Sequence, residues 1–357
     1  MSARRIKLMT SDVVPGDTIE VRRWSRQLPG TENRWGDNEF VFDLLATDYD
    51  WLVVYHDLPT MHGWRVAVEK LRCDPRHTLL ITREPSSITT YGRDYLRQFG
   101  LILTFQEPWA MPHPQVIFGQ PGLIWFYGYP VAGGHIRAYD ELAAMPAPAK
   151  TREVSTVCSN RQGRVTLHHH RFVFTQRLHE AIPELDIFGH DVRPINDKAE
   201  AIDPYKYHLS IENHYYPHHL TEKLPDTFLG YAVPFFYGCP NAEDYFPKDS
   251  FIRVDMNNLA KTIDIMRSTI AGNEYHDRLP YVREARRRVL EEYNLFAVID
   301  RLVTEYEHRD IPQPAGGGVI MNRPTLRWKR PLTGLRSFAE QAAIKSRHIA
   351  KRLTGEI

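Results

Sequence analysis

The stretch Tyr205–Asp255 reads YKYHLSIENHYYPHHLTEKLPDTFLGYAVPFFYGCPNAEDYFPKDSFIRVD. Its runs Tyr207–Ile211 and Ala232–Tyr237 are short and largely apolar, as strands buried on both faces require. Ile252–Val254 reads as a further strand, and Glu222-Lys223 opens a helical segment between the first two. Strand, helix and strand in succession point to a parallel sheet. The stretch also sets Asn213, Glu222 and Lys223 in one loop and helix start. A carboxylate beside an ammonium there suits a ribose diol and a diphosphate.

Working outward, Glu153–Cys158 is strand-like, Leu167–Ile182 helix-like and Asp186–Phe188 a short strand. Downstream, Tyr281–Leu302 reads as one long helix. Upstream, Arg5–Met9, Trp51–Tyr55, Thr78–Thr82 and Leu101–Phe105 read as strands, with helical patterns such as Asn38–Ala46 between them. Ala143–Lys150 (AAMPAPAK) has the composition of a linker. The expected organisation is an α/β domain over 1–142, a linker over 143–150 and a second α/β domain over 151–311. A flexible break (PQPAGGG, 312–318) and a basic helix then complete residues 312–357.

The totals exclude several classes. Lys+Arg is 45 against 44 Asp+Glu, so there is no overall electrostatic case for nucleic acid. The three cysteines, Cys73, Cys158 and Cys239, form no Cys-x-x-Cys pair, which argues against a zinc knuckle or redox dithiol and fits a reducing compartment. MSARRIKLMTSDVV lacks the apolar core of a signal peptide, and no run approaches the roughly 18 apolar residues of a membrane span. The expected location is cytoplasmic.

Ser159-Asn160 after a strand, Arg171 on the next helix, then Asp186-Ile187-Phe188-Gly189 form an ordered series. Glu212-Asn213, Thr221-Glu222-Lys223, Val233-Pro234, Gly238-Cys239-Pro240, Glu243-Asp244 and Ser250–Asp255 continue it. The series closely resembles the donor-binding signature of the family 10 glycosyltransferases, the α-1,3/1,4-fucosyltransferases, in a bacterial-type member. The resemblance covers about residues 154–256 and is weak over the first domain. It implies a GT-B-like architecture, two Rossmann-like domains facing a central cleft. It also implies an inverting, metal-independent transfer of fucose from GDP-fucose to a hydroxyl of a glycan acceptor, in protein glycosylation or surface lipopolysaccharide.

By that resemblance Arg171 and Lys223 hold the diphosphate and Glu222 the ribose hydroxyls. Ser159, Asn160, Gly189, Asn213 and His219 complete the donor contacts, and Thr221 is a plausible N-cap. Arg suits a diphosphate because its planar fork bonds two oxygens at once. Two positions depart from the pattern: His219 stands where the family usually has Tyr, and Pro225 falls in the first helical turn, where proline is tolerated. The same fold with another nucleotide sugar, and a non-catalytic nucleotide-sugar or glycan-binding protein, are the alternatives.

An inverting transfer needs a base for the acceptor hydroxyl. The family places a Glu after a strand of the first domain, and Glu84 follows Leu79–Thr82 here; Glu107 is the runner-up. No metal or other cofactor is expected. Asp48-Tyr49-Asp50 precedes its strand and reads as a turn. His168, His169, His170, His214, His218 and His219 read as solvated or packed rather than zinc-binding. From Arg323 to Ile357 there are nine Lys/Arg and two Glu, a net +7. The segment Gly334–Leu353 has Leu335, Phe338, Ala342, Ile349 and Leu353 roughly on one side. It reads equally as a helix lying on an anionic membrane and as one packed on the first domain.

Overall fold

A computed structural model describes residues 3–12, 18–59, 67–158, 168–189 and 192–353. It divides into two compact units, Met1–Pro121 with Phe296–Ile357, and Gly122–Leu295.

The first unit is built on strands β1 (Arg4–Thr10), β2 (Arg34–Trp35), β3 (Asn38–Val41), β4 (Trp51–Tyr55), β5 (Val68–Lys70), β6 (Thr78–Ile81), β7 (Leu101–Thr104) and β8 (Val116–Phe118), with short helices α1 (Thr18–Ser25) and α2 (Arg93–Leu96). The sheet order is β2-β3-β1-β4-β6-β7-β8, parallel except for β2. Every residue of β4, β6 and β7 is buried, which is why these runs are continuously apolar. The expected helix over Asn38–Ala46 is instead β3. Asn38, Phe40 and Val41 are buried, and β1 supplies a parallel partner from Arg4↔Asn38 to Lys7↔Val41. A paired edge outweighs a short helical pattern.

The second unit has α3 (Tyr139–Ala144), β9 (Arg152–Val157), α4 (His168–Ala181), β10 (Leu185–Phe188), β11 (Tyr205–Ile211), α5 (Lys223–Leu229), β12 (Val233–Tyr237), β13 (Ile252–Arg253), α6 (Leu259–Ala271) and α7 (Tyr275–Glu291). Its sheet is entirely parallel, in the order β10-β9-β11-β12-β13. The chain leaves β9 toward one edge and returns to β11 on the other side. Ligands of such sheets bind beyond the carboxyl ends of the strands at this reversal. The core beneath it includes Val154, Leu178, Leu209, Leu224, Phe228 and Phe235, all buried.

The final segment, α8 (Leu295–Tyr306), β14 (Val319–Met321), α9 (Arg323–Lys329) and α10 (Pro331–Leu353), returns to the first unit from Phe296 onward, and β14 pairs antiparallel with β5. Three expected boundaries therefore move. The expected linker, 143–150, lies inside the second unit: the Tyr231 hydroxyl donates to Met145 O at 2.9 Å, and Lys150 Nζ donates to Ile202 O and Gly230 O. The unit boundary falls instead at Pro121–Gly122. The expected long helix is α7 plus α8, parted at buried Asn294, which bridges to Leu123. The α/β class and the two parallel-sheet units expected of a GT-B-like chain are present.

Candidate active site

Residues following β11 and opening α5 form one ion-paired cluster at the carboxyl end of the second sheet. Glu212, directly after β11, is fully buried. Its carboxylate accepts from the Thr221 backbone N–H at 2.9 Å, lies 2.6–2.8 Å from the Thr221 hydroxyl and receives Lys223 Nζ at 3.3 Å. Thr221 therefore does not cap α5; the residue at that position is Glu222, in helical conformation. Room for Glu212 comes from the Gly-x-Pro glycine, since a Cβ at Gly238 would stand 2.5 Å from Glu212 Cγ.

Lys223 Nζ also reaches Thr221 Oγ1 at 3.0 Å and Glu222 Oε1 at 3.2 Å. Burial works against its charge and Arg171 adds to the penalty, but Glu212 and Glu222 outweigh both, so its pKa is raised. Burial alone would raise Glu222. The ammonium groups of Lys223 and Lys198 more than offset it and hold the carboxyl well below its usual range.

Arg171 projects from α4 and is buried, with 7% of its surface exposed. Its Nη1 donates to Asn213 Oδ1 at 2.9 Å and to Ile211 O at 3.4 Å. Its Nε is buried without a hydrogen-bond partner among the described residues. A buried donor left unmet is costly, and a ligand oxygen would satisfy it. This is the chemistry of an anion site.

The loop between Asn213 and Thr221 is braced from behind. Asn241 Oδ1 accepts the His218 N–H at 2.7 Å, and the His218 ring meets the Tyr245 hydroxyl; His218 itself has φ +62°. His219 is buried and packs edge-on to His214, with ring centroids 5.7 Å apart. Gly189, at φ +143°, is paired with Arg193 through its N–H, a backbone position open only to glycine. Asp186 of the same motif is engaged by the Tyr205 hydroxyl at 2.6 Å and Arg152 at 2.9 Å. Ser159 and Asn160 lie outside the described residues.

The other expected participant, Glu84, belongs to the first unit. It follows β6, half-exposed, 3.4 Å from Arg83. Glu107 receives the Ser86 hydroxyl at 2.5 Å and so is already engaged. Asp48 pairs with Arg5, and Asp50 accepts the Arg5 N–H, consistent with turn residues. Sequence reasoning missed Lys198, Asp226 and the depth of Glu212. Buried carboxylates carry no periodic signal, and only the Glu-Asn pair marked Glu212.

Residues 147–277 match the family model described as glycosyltransferase family 10 (fucosyltransferase) C-term. The human 4-galactosyl-N-acetylglucosaminide 3-alpha-L-fucosyltransferase 9 is 34% identical over 135 residues, 36% of each chain. The alpha-(1,3)-fucosyltransferase FucT of Helicobacter pylori is 33% identical over 75 residues, 20% of this chain and 16% of that protein. The chain thus spans about a third of the length of the first of these relatives. A solved alpha1,3-fucosyltransferase with GDP aligns over 83% of this chain and 93% of its own, at 16% identity and TM-score 0.48. Over residues 147–277 the chain is thus similar to the C-terminal part of glycosyltransferase family 10 (fucosyltransferase).

Proposed function

We propose that this protein is an inverting, metal-independent glycosyltransferase that moves fucose from GDP-fucose to a hydroxyl of a glycan acceptor. The observation that carries the reading is the buried Arg171 fork, its Nε unmet, beside the Glu212–Lys223–Glu222 cluster, all within the segment that matches the family. In the proposed step the acceptor oxygen attacks the anomeric carbon as the bond from that carbon to the phosphate oxygen breaks. GDP departs with the electron pair. The acceptor proton passes to the Glu84 carboxylate. Arg171 and Lys223 meet the charge that develops on the diphosphate, the role preplaced cations serve best. Glu222 accepts from the ribose hydroxyls. Ser159, Asn160, Gly189, Asn213 and His219 are assigned to the rest of the donor.

A binding panel of GDP, UDP, ADP and CMP, each with and without EDTA, tests this. GDP is expected to bind most tightly and EDTA to have no effect. Preference for UDP, or loss of GDP binding with EDTA, would overturn the reading.

We further propose that the reaction takes place at the inner face of a membrane, which α10 contacts peripherally. No described helix is long and apolar enough to cross a membrane. The polar side of α10 faces its own unit. Thr333 donates to Asp94 at 2.8 Å, Glu340 accepts the Arg93 N–H and His348 meets Ser86. The apolar side faces outward: Trp328 of α9 is 73% exposed and Phe338 74%, with Leu332, Leu335 and Ile349 alongside. Arg327, Lys329, Arg336, Lys345 and Arg347 flank them, exposed. An apolar row edged by cations suits an anionic bilayer surface. Cosedimentation with phosphatidylserine vesicles should be lost in L335E/F338E; equal pelleting would refute the contact.

A further inference from the structure

The cluster that holds Glu222 contains one lysine to which neither the family pattern quoted above nor the proposed reaction assigns a role. Lys198 lies 24 residues before Glu222 and opens a short helical turn, Lys198–Ala201. That turn is fixed at its start. Asp197 caps it by accepting the Ala199 N–H at 2.8 Å, and the same oxygen accepts the Gly128 N–H at 3.0 Å. Glu200 reaches back to the Asp197 N–H, closing a capping box. The lysine ammonium lies over the Phe126 ring, with Nζ 5.3 Å from its centroid.

From this fixed position Nζ bridges two carboxylates. It lies 2.6 Å from Asp226 Oδ2 and 3.5 Å from Glu222 Oε1. Asp226 is buried, and its other oxygen accepts the N–H groups of Phe126 at 2.8 Å and Tyr127 at 3.0 Å. Asp226 therefore anchors the ammonium rather than competing for the ligand. Glu222 receives Lys198 and Lys223 on the same oxygen, Oε1. Both cations meet Oε1, and no hydrogen bond to Oε2 is seen among the described residues.

We infer that Lys198 is a positioning residue that orients the Glu222 carboxylate for recognition of a ribose diol. The inference rests on the donor reading above and deepens it: Asp226 and Lys198 form a relay that sets which Glu222 oxygen is offered. Lys223 alone does not achieve this, because it is shared with Glu212 and is assigned to the diphosphate.

The test compares GDP with 2′,3′-dideoxy-GDP by calorimetry on the full chain. The parent should favour GDP by about tenfold or more, because a site built around a hydroxyl rejects its absence. Lys198→Met should bring that ratio to within about twofold while dideoxy-GDP affinity holds, and Lys198→Arg should restore part of it. A role confined to stability would weaken both nucleotides alike, and that result would overturn the inference, as would an unchanged ratio. Should Lys198→Met fail to fold because Asp226 is left buried without its cation, K198M/D226N replaces it with the same expectation. A parent that binds GDP without discriminating against the dideoxy form sinks the inference and the Glu222 assignment with it, and leaves fucosyl transfer from GDP-fucose through Arg171 and Lys223 standing. A parent that binds no GDP sinks both.

Discussion

Replacing Arg171 by methionine separates a binding residue from a structural one, because the two roles predict opposite effects on stability. Arg171 makes two hydrogen bonds, to Asn213 Oδ1 and Ile211 O, and forms no ion pair among the described residues. Its Nε is buried and unmet there. A buried cation without a carboxylate contributes little to folding, and an apolar side chain of similar volume is often neutral or stabilising. The melting temperature of Arg171→Met should therefore equal or exceed that of the parent, by about 2–4 °C for each kcal/mol gained in a unit of this size. Donor affinity should move the other way. Losing a charge-assisted fork to a phosphate costs about 1.5–3 kcal/mol, which is about 10–150-fold in Kd. The assay is a thermal melt of both proteins without nucleotide, followed by calorimetric titration with GDP. A variant that melts well below the parent yet binds GDP normally would refute the reasoning.

Other outcomes follow from the same geometry. Gly238→Ala drives a Cβ against Glu212 Cγ and should weaken GDP binding by displacing the Lys223 partner, although residue 238 makes no proposed donor contact; unchanged affinity would contradict this. Glu84→Gln should lower turnover by about 100-fold or more while leaving the Kd for GDP unaltered, read by single-turnover kinetics beside calorimetry. His208 is buried, with Nδ1 2.8 Å from Ser155 Oγ, whose hydrogen goes to Ala201 O. Burial, with Lys198 and Lys150 nearby, pushes its pKa down to about 3. The unfolded chain then binds the proton first, so stability is full above about pH 6.5 and falls by about 1.4 kcal/mol per pH unit below it. Urea denaturation of His208→Gln should show a shallower acid slope than the parent; equal slopes would refute the assignment.

The second unit was the more legible in sequence. Its strands are short apolar runs because the sheet is covered on both faces, and each was placed within a residue or two. The edge of the first unit was not, since β3 owes its conformation to β1 and not to its own pattern. The Ala/Pro segment 143–150 misled for a related reason. Small residues signal a linker, but there they admit Tyr231 and leave Lys150 within reach of two carbonyls. Among the site residues, Arg171, Asn213, Glu222 and Lys223 were readable as a motif, and the structure gathers them at one end of one sheet. Lys198 and Asp226 were not, because a lysine bridging two carboxylates across 28 residues has no local spacing to announce it.

The central claim is that Arg171, Glu222 and Lys223 serve one nucleoside diphosphate. A crystal structure with GDP bound tests it most directly. The account predicts the diphosphate within about 3 Å of the Arg171 fork and of Lys223 Nζ, with the ribose hydroxyls on Glu222. GDP seated elsewhere, or held with its diphosphate away from both cations, would contradict it.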